Sequence, residues 1–266
     1  MSLSRWIRTG LGFAALAVTL TVSACGGSTP ATTPTATSGA PTVTGNINVF
    51  AAASLTEAFG AIGRQFEAAH PSTHVTFSFG ASSDLATQIT QGAPADVFAS
   101  AAPAPMETVT GAGEASGPQT FASNELEIAV PPGNPAHIGS LADLARPGVK
   151  VALCAEQVPC GAAAVKLLKA VGVTAHPVTL EKDVKAALSK VQLGEVDAAL
   201  VYRTDVKAAA GKVAGVPVPE AGKAVNRYPI VALTHARNGP AAQAFVGYVL
   251  SADGRRVLAD AGFIVP

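Results

Sequence analysis

Two serines carry the residue patterns from which chemistry is most easily built. The run Val49-Phe50-Ala51-Ala52-Ala53-Ser54-Leu55-Thr56-Glu57-Ala58-Phe59 passes from β-favouring residues through alanines to a hydroxyl. Apolar residues then recur at helical spacing at Leu55, Phe59, Ile62 and Phe66. The pattern predicts a strand, a tight turn and a helix. Small side chains leave that turn uncovered, so backbone N–H groups and the Ser54 hydroxyl stand at the positive end of the helix dipole, a setting suited to an oxyanion. After the β-rich residues 75–79, Gly80-Ala81-Ser82-Ser83-Asp84-Leu85 repeats the arrangement. Each serine also has a plainer reading as a helix cap, worth about 1 kcal/mol as structure alone. Ser54 with Glu57 fits the capping box, in which a hydroxyl and a carboxylate satisfy orphan amides of the first turn.

Other stretches end in the same way. The loop closing with Pro159-Cys160-Gly161 opens a helix at Ala162, Thr179-Leu180-Glu181-Lys182-Asp183-Val184 leads into another, and Val201-Tyr202 ends a strand. Val184 passes equally as a core residue, and Tyr202 as a half-buried strand aromatic. The elements that must position these residues are β-rich runs at 47–51, 75–79, 96–99, 126–130, 149–153, 196–201 and 230–233. They alternate with helical patterns such as 85–89, 162–171 and 184–193. That alternation predicts an α/β fold of mostly parallel sheets flanked by helices. In such sheets ligands bind beyond the carboxyl ends of the strands. Pro131-Pro132-Gly133-Asn134-Pro135 marks an exit into a second lobe, and Arg227-Tyr228-Pro229-Ile230 marks the return. The expected division is lobe 1 at 47–126 and 230–266 and lobe 2 at 127–229, with two hinge crossings near 126–131 and 227–233. Ser54 and Ser82 then belong to lobe 1, and Cys160, Val184 and Tyr202 to lobe 2.

The chain of 266 residues is 48% hydrophobic and 14% charged with a formal net charge of zero, which suits a large core and gives no sign of a nucleic-acid partner. Arg5 and Arg8 precede an apolar run at 11–22 and then Val22-Ser23-Ala24-Cys25-Gly26. This is the layout of a secretory signal, and it resembles the lipobox of bacterial lipoproteins, whose cysteine is acylated. The run falls short of the ~20 residues that a membrane span needs. The expectation is a signal peptide over 1–25 ending at a lipidated Cys25, and an exported, membrane-anchored protein facing the outside or the periplasm. Residues 26–46, almost all Gly, Ser, Thr, Pro and Ala, are expected to form a flexible tether. Cys154 and Cys160 then remain as an even pair in an exported protein, and a disulfide between them is expected. His70, His74, His137, His176 and His235 are scattered without ligand spacing, so no metal-ion site is expected.

Several short motifs occur in order: Val49-Phe50-Ala51-Ala52-Ala53-Ser54-Leu55, residues 79–85, Gly92-Ala93-Pro94-Ala95-Asp96-Val97-Phe98, Val158-Pro159-Cys160-Gly161, Asp183-Val184 and Leu200-Val201-Tyr202. As an ordered set they make the chain from about Ile47 onward similar to the substrate-binding protein of bacterial molybdate ABC transporters. The resemblance implies a two-lobe periplasmic-binding-protein type II fold that closes on tetrahedral molybdate or tungstate. It implies no enzymatic activity, no cofactor beyond that ligand, a cognate ABC permease as partner, and a monomer. The implied ligand contacts are the hydroxyls and amides of Ser54 and Ser82, the backbone amides of Cys160 and Val184, and the Tyr202 hydroxyl. The family usually has alanine where Cys160 stands. An amide donor survives that exchange, and the side chain is left to pair with Cys154.

Burying an uncompensated dianion costs tens of kcal/mol, while a hydrogen bond to a charged group returns about 1.5 to 3 kcal/mol. Some half-dozen convergent donors are therefore required, and the implied set provides them without Lys or Arg. Asp84 and Asp183 lie beside the implied contacts and are expected to turn away as first-turn residues. Donors alone also disfavour phosphate, whose proton needs an acceptor, and leave sulfate to be rejected by size. Three rival functions stand beside this one. They are a binding protein for sulfate or another oxyanion, an exported hydrolase using Ser54 or Ser82 but lacking a Gly-x-Ser-x-Gly elbow, and a lipid-anchored interaction module.

Overall fold

The structure, a computed structural model, describes residues 43–266. The signal peptide, Cys25 and the tether up to residue 42 lie outside the described residues. The first half runs β1 (Gly45–Ala52), a 3-10 turn (Ala53–Leu55), α1 (Thr56–Ala69), β2 (Thr73–Gly80), α2 (Ser82–Thr90), β3 (Val97–Ala99), α3 (Pro103–Gly111) and β4 (Gln119–Asn124). The chain continues through β5 (Leu126–Val130), β6 (Val151–Cys154), α4 (Pro159–Val171), β7 (Thr179–Glu181), α5 (Val184–Gln192), β8 (Ala198–Tyr202), α6 (Arg203–Ala208) and β9 (Ala214–Val216). It closes with β10 (Asn226–Ala232), α7 (Gly239–Leu250) and α8 (Ala252–Ala261). No helix among the described residues is long and apolar enough to cross a membrane.

The strands form two sheets, ordered β2-β1-β3-β10-β4 in lobe 1 and β7-β6-β8-β5-β9 in lobe 2. The expectation of mostly parallel sheets needs correction. β1 is parallel to β2 and β3, but β10 is antiparallel to both β3 and β4. In lobe 2, β6 is parallel to β7 and β8, while β5 is antiparallel to β8 and β9. The cause lies in how β5 and β10 enter. Each arrives from the other lobe at the edge where the parallel strands end, so each must run the opposite way. The boundaries shift for related reasons. Gly45 and Asn46, expected in the tether, already pair with Thr73 and His74, and β10 joins the lobe 1 sheet from Asn226 onward.

Crossings between the sheets occur at Glu125 and at Val225. Both precede the segments expected to hinge, because β5 and β10 are ladder-bonded from their first residues, Leu126 to Tyr202 and Asn226 to Asn124. The lobe 1 core forms where α1 lays Phe59, Ile62 and Phe66 onto the sheet. Phe59 meets Phe77, Phe121 and Phe245 at ring-centroid distances of 6.3, 5.7 and 6.0 Å, within the range where tilted and edge-on aromatic pairs add to area burial. The lobe 2 core gathers Ile128, Val151, Leu167, Leu200 and Val201, and takes in Ala53 and Ala81 from lobe 1. The ends of β1 and β2 are thereby held against lobe 2, which places their turns at the site.

Candidate functional site

One small cavity lies where the two lobes meet. Lobe 1 lines it with Ala52, Ala53, Ser54, Gly80, Ala81, Ser82 and Ala101, and lobe 2 with Val158, Pro159, Cys160, Asp183, Val184 and Tyr202. All of the expected contact positions, Ser54, Ser82, Cys160, Val184 and Tyr202, are brought together here. The cavity volume is about 20 Å³, far below the ~300–1,000 Å³ typical of sites for drug-sized ligands. Only an occupant of a few heavy atoms fits.

Ser54 does not cap a helix. It sits inside the 3-10 turn after β1, and α1 begins later, at Thr56, with Leu55 as a cap that offers no side-chain bond. Thr56 Oγ1 instead donates to the Ala53 carbonyl at 2.7 Å. The capping box with Glu57 is therefore absent, and the Ser54 hydroxyl lies 2.9 Å from the Tyr228 hydroxyl. Ser82 opens α2 but is not its cap either; its Oγ accepts from the Ala101 amide at 3.0 Å. That bond leaves the Ser82 proton directed elsewhere.

On the lobe 2 side, Cys160 and Val184 occupy first-turn positions of α4 and α5, where a helix provides no carbonyl for the amide. Cys154 and Cys160 form the expected disulfide, with Cα atoms 5.7 Å apart. The bond draws the Cys160 side chain toward the end of β6 while the residue still lines the cavity. Next to it, a Cβ on Gly161 would overlap the Ala155 carbonyl oxygen, so glycine is what lets the loop close onto the helix start. Asp183 lines the cavity, but its Oδ1 accepts from the Ala186 amide at 2.9 Å and caps α5. Asp84 is exposed and lies outside the lining.

Tyr202 is almost fully buried rather than half-buried, and its hydroxyl accepts from Asn226 Nδ2 at 2.6 Å. Burial, reinforced by nearby Tyr228 and Asp205, holds its pKa well above the ordinary tyrosine range, so the phenol keeps its proton. Burial pushes Tyr228 up as well, against its hydrogen bonds with Ser54 and Asn124.

Reasoning from sequence missed an ion-pair cluster beside the cavity. Lys185 Nζ on α5 meets Glu57 on α1 at 2.9 and 2.8 Å, bridging the lobes. It also lies 3.0 Å from Asp205 Oδ1, an ionic contact to a fully buried carboxylate. Burial raises Asp205 to about 6 despite the lowering effect of Lys185. Burial works against the Lys185 charge, but the two carboxylates more than offset it and its pKa ends raised. Glu57 and Lys185 are 128 residues apart, so no local pattern links them. Asn226 and Tyr228 were also missed, although their spacing of two along β10 places them on one face of that strand.

Comparisons with known proteins agree with this architecture. Residues 47–264 match the protein family described as bacterial extracellular solute-binding protein. Over 264 residues the chain is 44% identical to the molybdate-binding protein ModA of Mycobacterium tuberculosis, covering 98% of this chain and 100% of that one. It is 31% identical over 232 residues to ModA of Escherichia coli, covering 83% and 90% of the two chains. Among solved structures, the periplasmic molybdate-binding protein of Azotobacter vinelandii matches with a TM-score of 0.73 at 22% identity, covering 83% of this chain and 99% of that one. The sulfate-binding protein SubI of Mycobacterium tuberculosis matches with a TM-score of 0.72 at 21% identity, covering 82% and 86%. At those identities the structures speak for the fold alone, which is the two-lobe periplasmic-binding-protein type II fold. The chain belongs to the bacterial extracellular solute-binding proteins, and within them to the family of the ModA proteins, which bind solutes and are not enzymes.

Proposed function

We propose that this chain captures molybdate or tungstate in the cavity between its lobes and delivers it to an ABC permease. The observation that carries the proposal is the lining itself. Hydroxyls of Ser54, Ser82 and Tyr202 and first-turn amides at Ser82, Cys160 and Val184 converge on a volume fit for one small anion, with no Lys or Arg among the lining residues. Each hydrogen bond to a charged guest contributes about 1.5 to 3 kcal/mol, and each helix start about 0.3 to 1 kcal/mol. A half-dozen such donors offset the desolvation of a dianion, and no opposing charge traps it. Because the donors come from both lobes, an open molecule offers only part of the site. The guest then stabilises the closed form through contacts made nowhere else.

The remaining parts of the proposal concern the setting. Cys25 is the lipidation point, the segment between it and β1 tethers the folded part to the membrane, and the protein works as an exported monomer. The identity to ModA proteins supports the choice of molybdate among oxyanions. Isothermal titration with molybdate, tungstate, sulfate and phosphate tests it. The expected result is tight one-to-one binding of molybdate and tungstate with weak or absent response to the other two. Sulfate bound more tightly than molybdate would overturn the assignment in favour of a sulfate carrier, and no binding of any oxyanion would favour an interaction module.

A further inference from the structure

We infer that Asn226 and Tyr228, side by side on one face of β10, are positioning residues that force the cavity hydroxyls to act as donors. This inference deepens the oxyanion reading and rests on it. A hydroxyl both donates and accepts, so three of them in a cavity do not by themselves make a donor-only lining. Something must fill their acceptor side. For Ser82 the backbone does so, through the Ala101 amide at 3.0 Å. For Tyr202 the filling group is Asn226 Nδ2, at 2.6 Å. The orientation of that amide is set by its second contact, 3.3 Å to the Pro159 carbonyl, which can only accept. For Ser54 it is the Tyr228 hydroxyl, at 2.9 Å. A phenol is the stronger proton donor of that pair, and Tyr228 itself receives Asn124 Nδ2 at 3.5 Å. Asn124 is oriented in turn, since its Oδ1 accepts from the Glu125 amide at 3.0 Å.

The polarity therefore runs one way, from Asn124 through Tyr228 to Ser54 and from Asn226 to Tyr202, and each chain ends at the cavity wall. Tyr228 is buried and Asn226 half-buried behind that wall, and neither lines it. They act through the hydroxyls they hold. The consequence is selectivity by protonation state. A fully ionised oxyanion meets a donor at each of the three hydroxyls, whereas a singly protonated one finds no lone pair on them for its own O–H. Removing either donor frees one hydroxyl to rotate and accept.

Tyr228→Phe and Asn226→Leu test this, read as the ratio of phosphate to molybdate dissociation constants at one pH near neutrality, where phosphate retains a proton and molybdate has none. Each variant is expected to weaken molybdate about threefold to tenfold while phosphate binding holds or tightens, so that the ratio narrows. The narrowing should be absent when sulfate, a dianion that carries no proton, takes the place of phosphate. A purely structural role would weaken both ligands alike, and a ratio unchanged in either folded variant overturns the inference. Tyr228→Phe preserves ring volume, and should one variant fail to fold, the ratio in the other decides. Failure of the wild type to bind molybdate overturns the functional reading, and this inference falls with it.

Discussion

The two lobes share a strand order and differ in how they aim their donors. In each, three parallel strands lead to the cleft and an antiparallel strand enters from the other lobe. Lobe 1 presents side-chain hydroxyls on turns of alanine and glycine, whose direction is set by hydrogen bonds from behind. Lobe 2 presents mainly helix-start amides, whose direction is built into the backbone and secured by the Cys154–Cys160 disulfide and the Asp183 cap. Tyr202 is its one rotatable donor. The difference teaches that one topology delivers donors to one edge, while two separate devices decide whether they stay pointed there.

Lys185→Met should have the largest effect on stability, because it strips the partner from buried Asp205 on the side of the cleft that is otherwise held rigid. Losing one member of a buried pair costs up to about 3 kcal/mol where the other stays charged. Asp205 already sits raised to about 6 in the folded protein, above the ordinary carboxylate value of 3.8. Between those values the folded state holds more protons than the unfolded one, so the contribution of Asp205 to stability falls as pH rises toward 6 and stays low above it. Denaturant melts should therefore show the Lys185→Met deficit greatest above pH 6 and shrinking in acid. A deficit independent of pH would remove Asp205 from the account.

Ser82→Ala and Tyr202→Phe sharpen the comparison at the ligand, one hydroxyl from each lobe. Each should weaken molybdate by about 1.5 to 3 kcal/mol in titration calorimetry, with the fold intact. Unchanged affinity in both would place the site elsewhere. Replacing Cys154 and Cys160 together by serine should lower stability by ~2 kcal/mol for so short a loop and leave affinity little changed, since the amide remains. A large loss of affinity would mean that the staple, and not the helix, aims the Cys160 amide. Glu57→Gln should be felt least, about 0.2 to 1 kcal/mol in binding and less in high salt, because Glu57 is half exposed.

Legibility followed the range over which each signal acts. β-branched runs and 3.6-residue periodicity marked most strands and helices, and small residues before a hydroxyl marked the turns at Ser54 and Ser82. β4, with the sequence QTFASN, has little β-branched character and went unread. So did the antiparallel entry of β5 and β10, because strand direction there is set by the path between lobes. The capping box failed because its spacing is a property of sequence, whereas the 3-10 turn that delays α1 depends on β1 ending against lobe 2. The cavity lining was accessible through short ordered motifs. Asn226, Tyr228 and Lys185 act across 24, 174 and 128 residues respectively, and only the fold brings them to their partners.

Ala53 and Ala81 are the lobe 1 residues absorbed into the lobe 2 core, and each contributes a single methyl to that seam. At about 25 cal/mol per Å² of apolar surface, so thin a seal, joined only weakly by the half-exposed Glu57–Lys185 pair, gives an empty molecule little incentive to stay shut. Cargo must supply the rest of the closing energy, so shape and load rise and fall together. A membrane partner sampling many such carriers can thus tell the full ones from the vacant ones by outline alone.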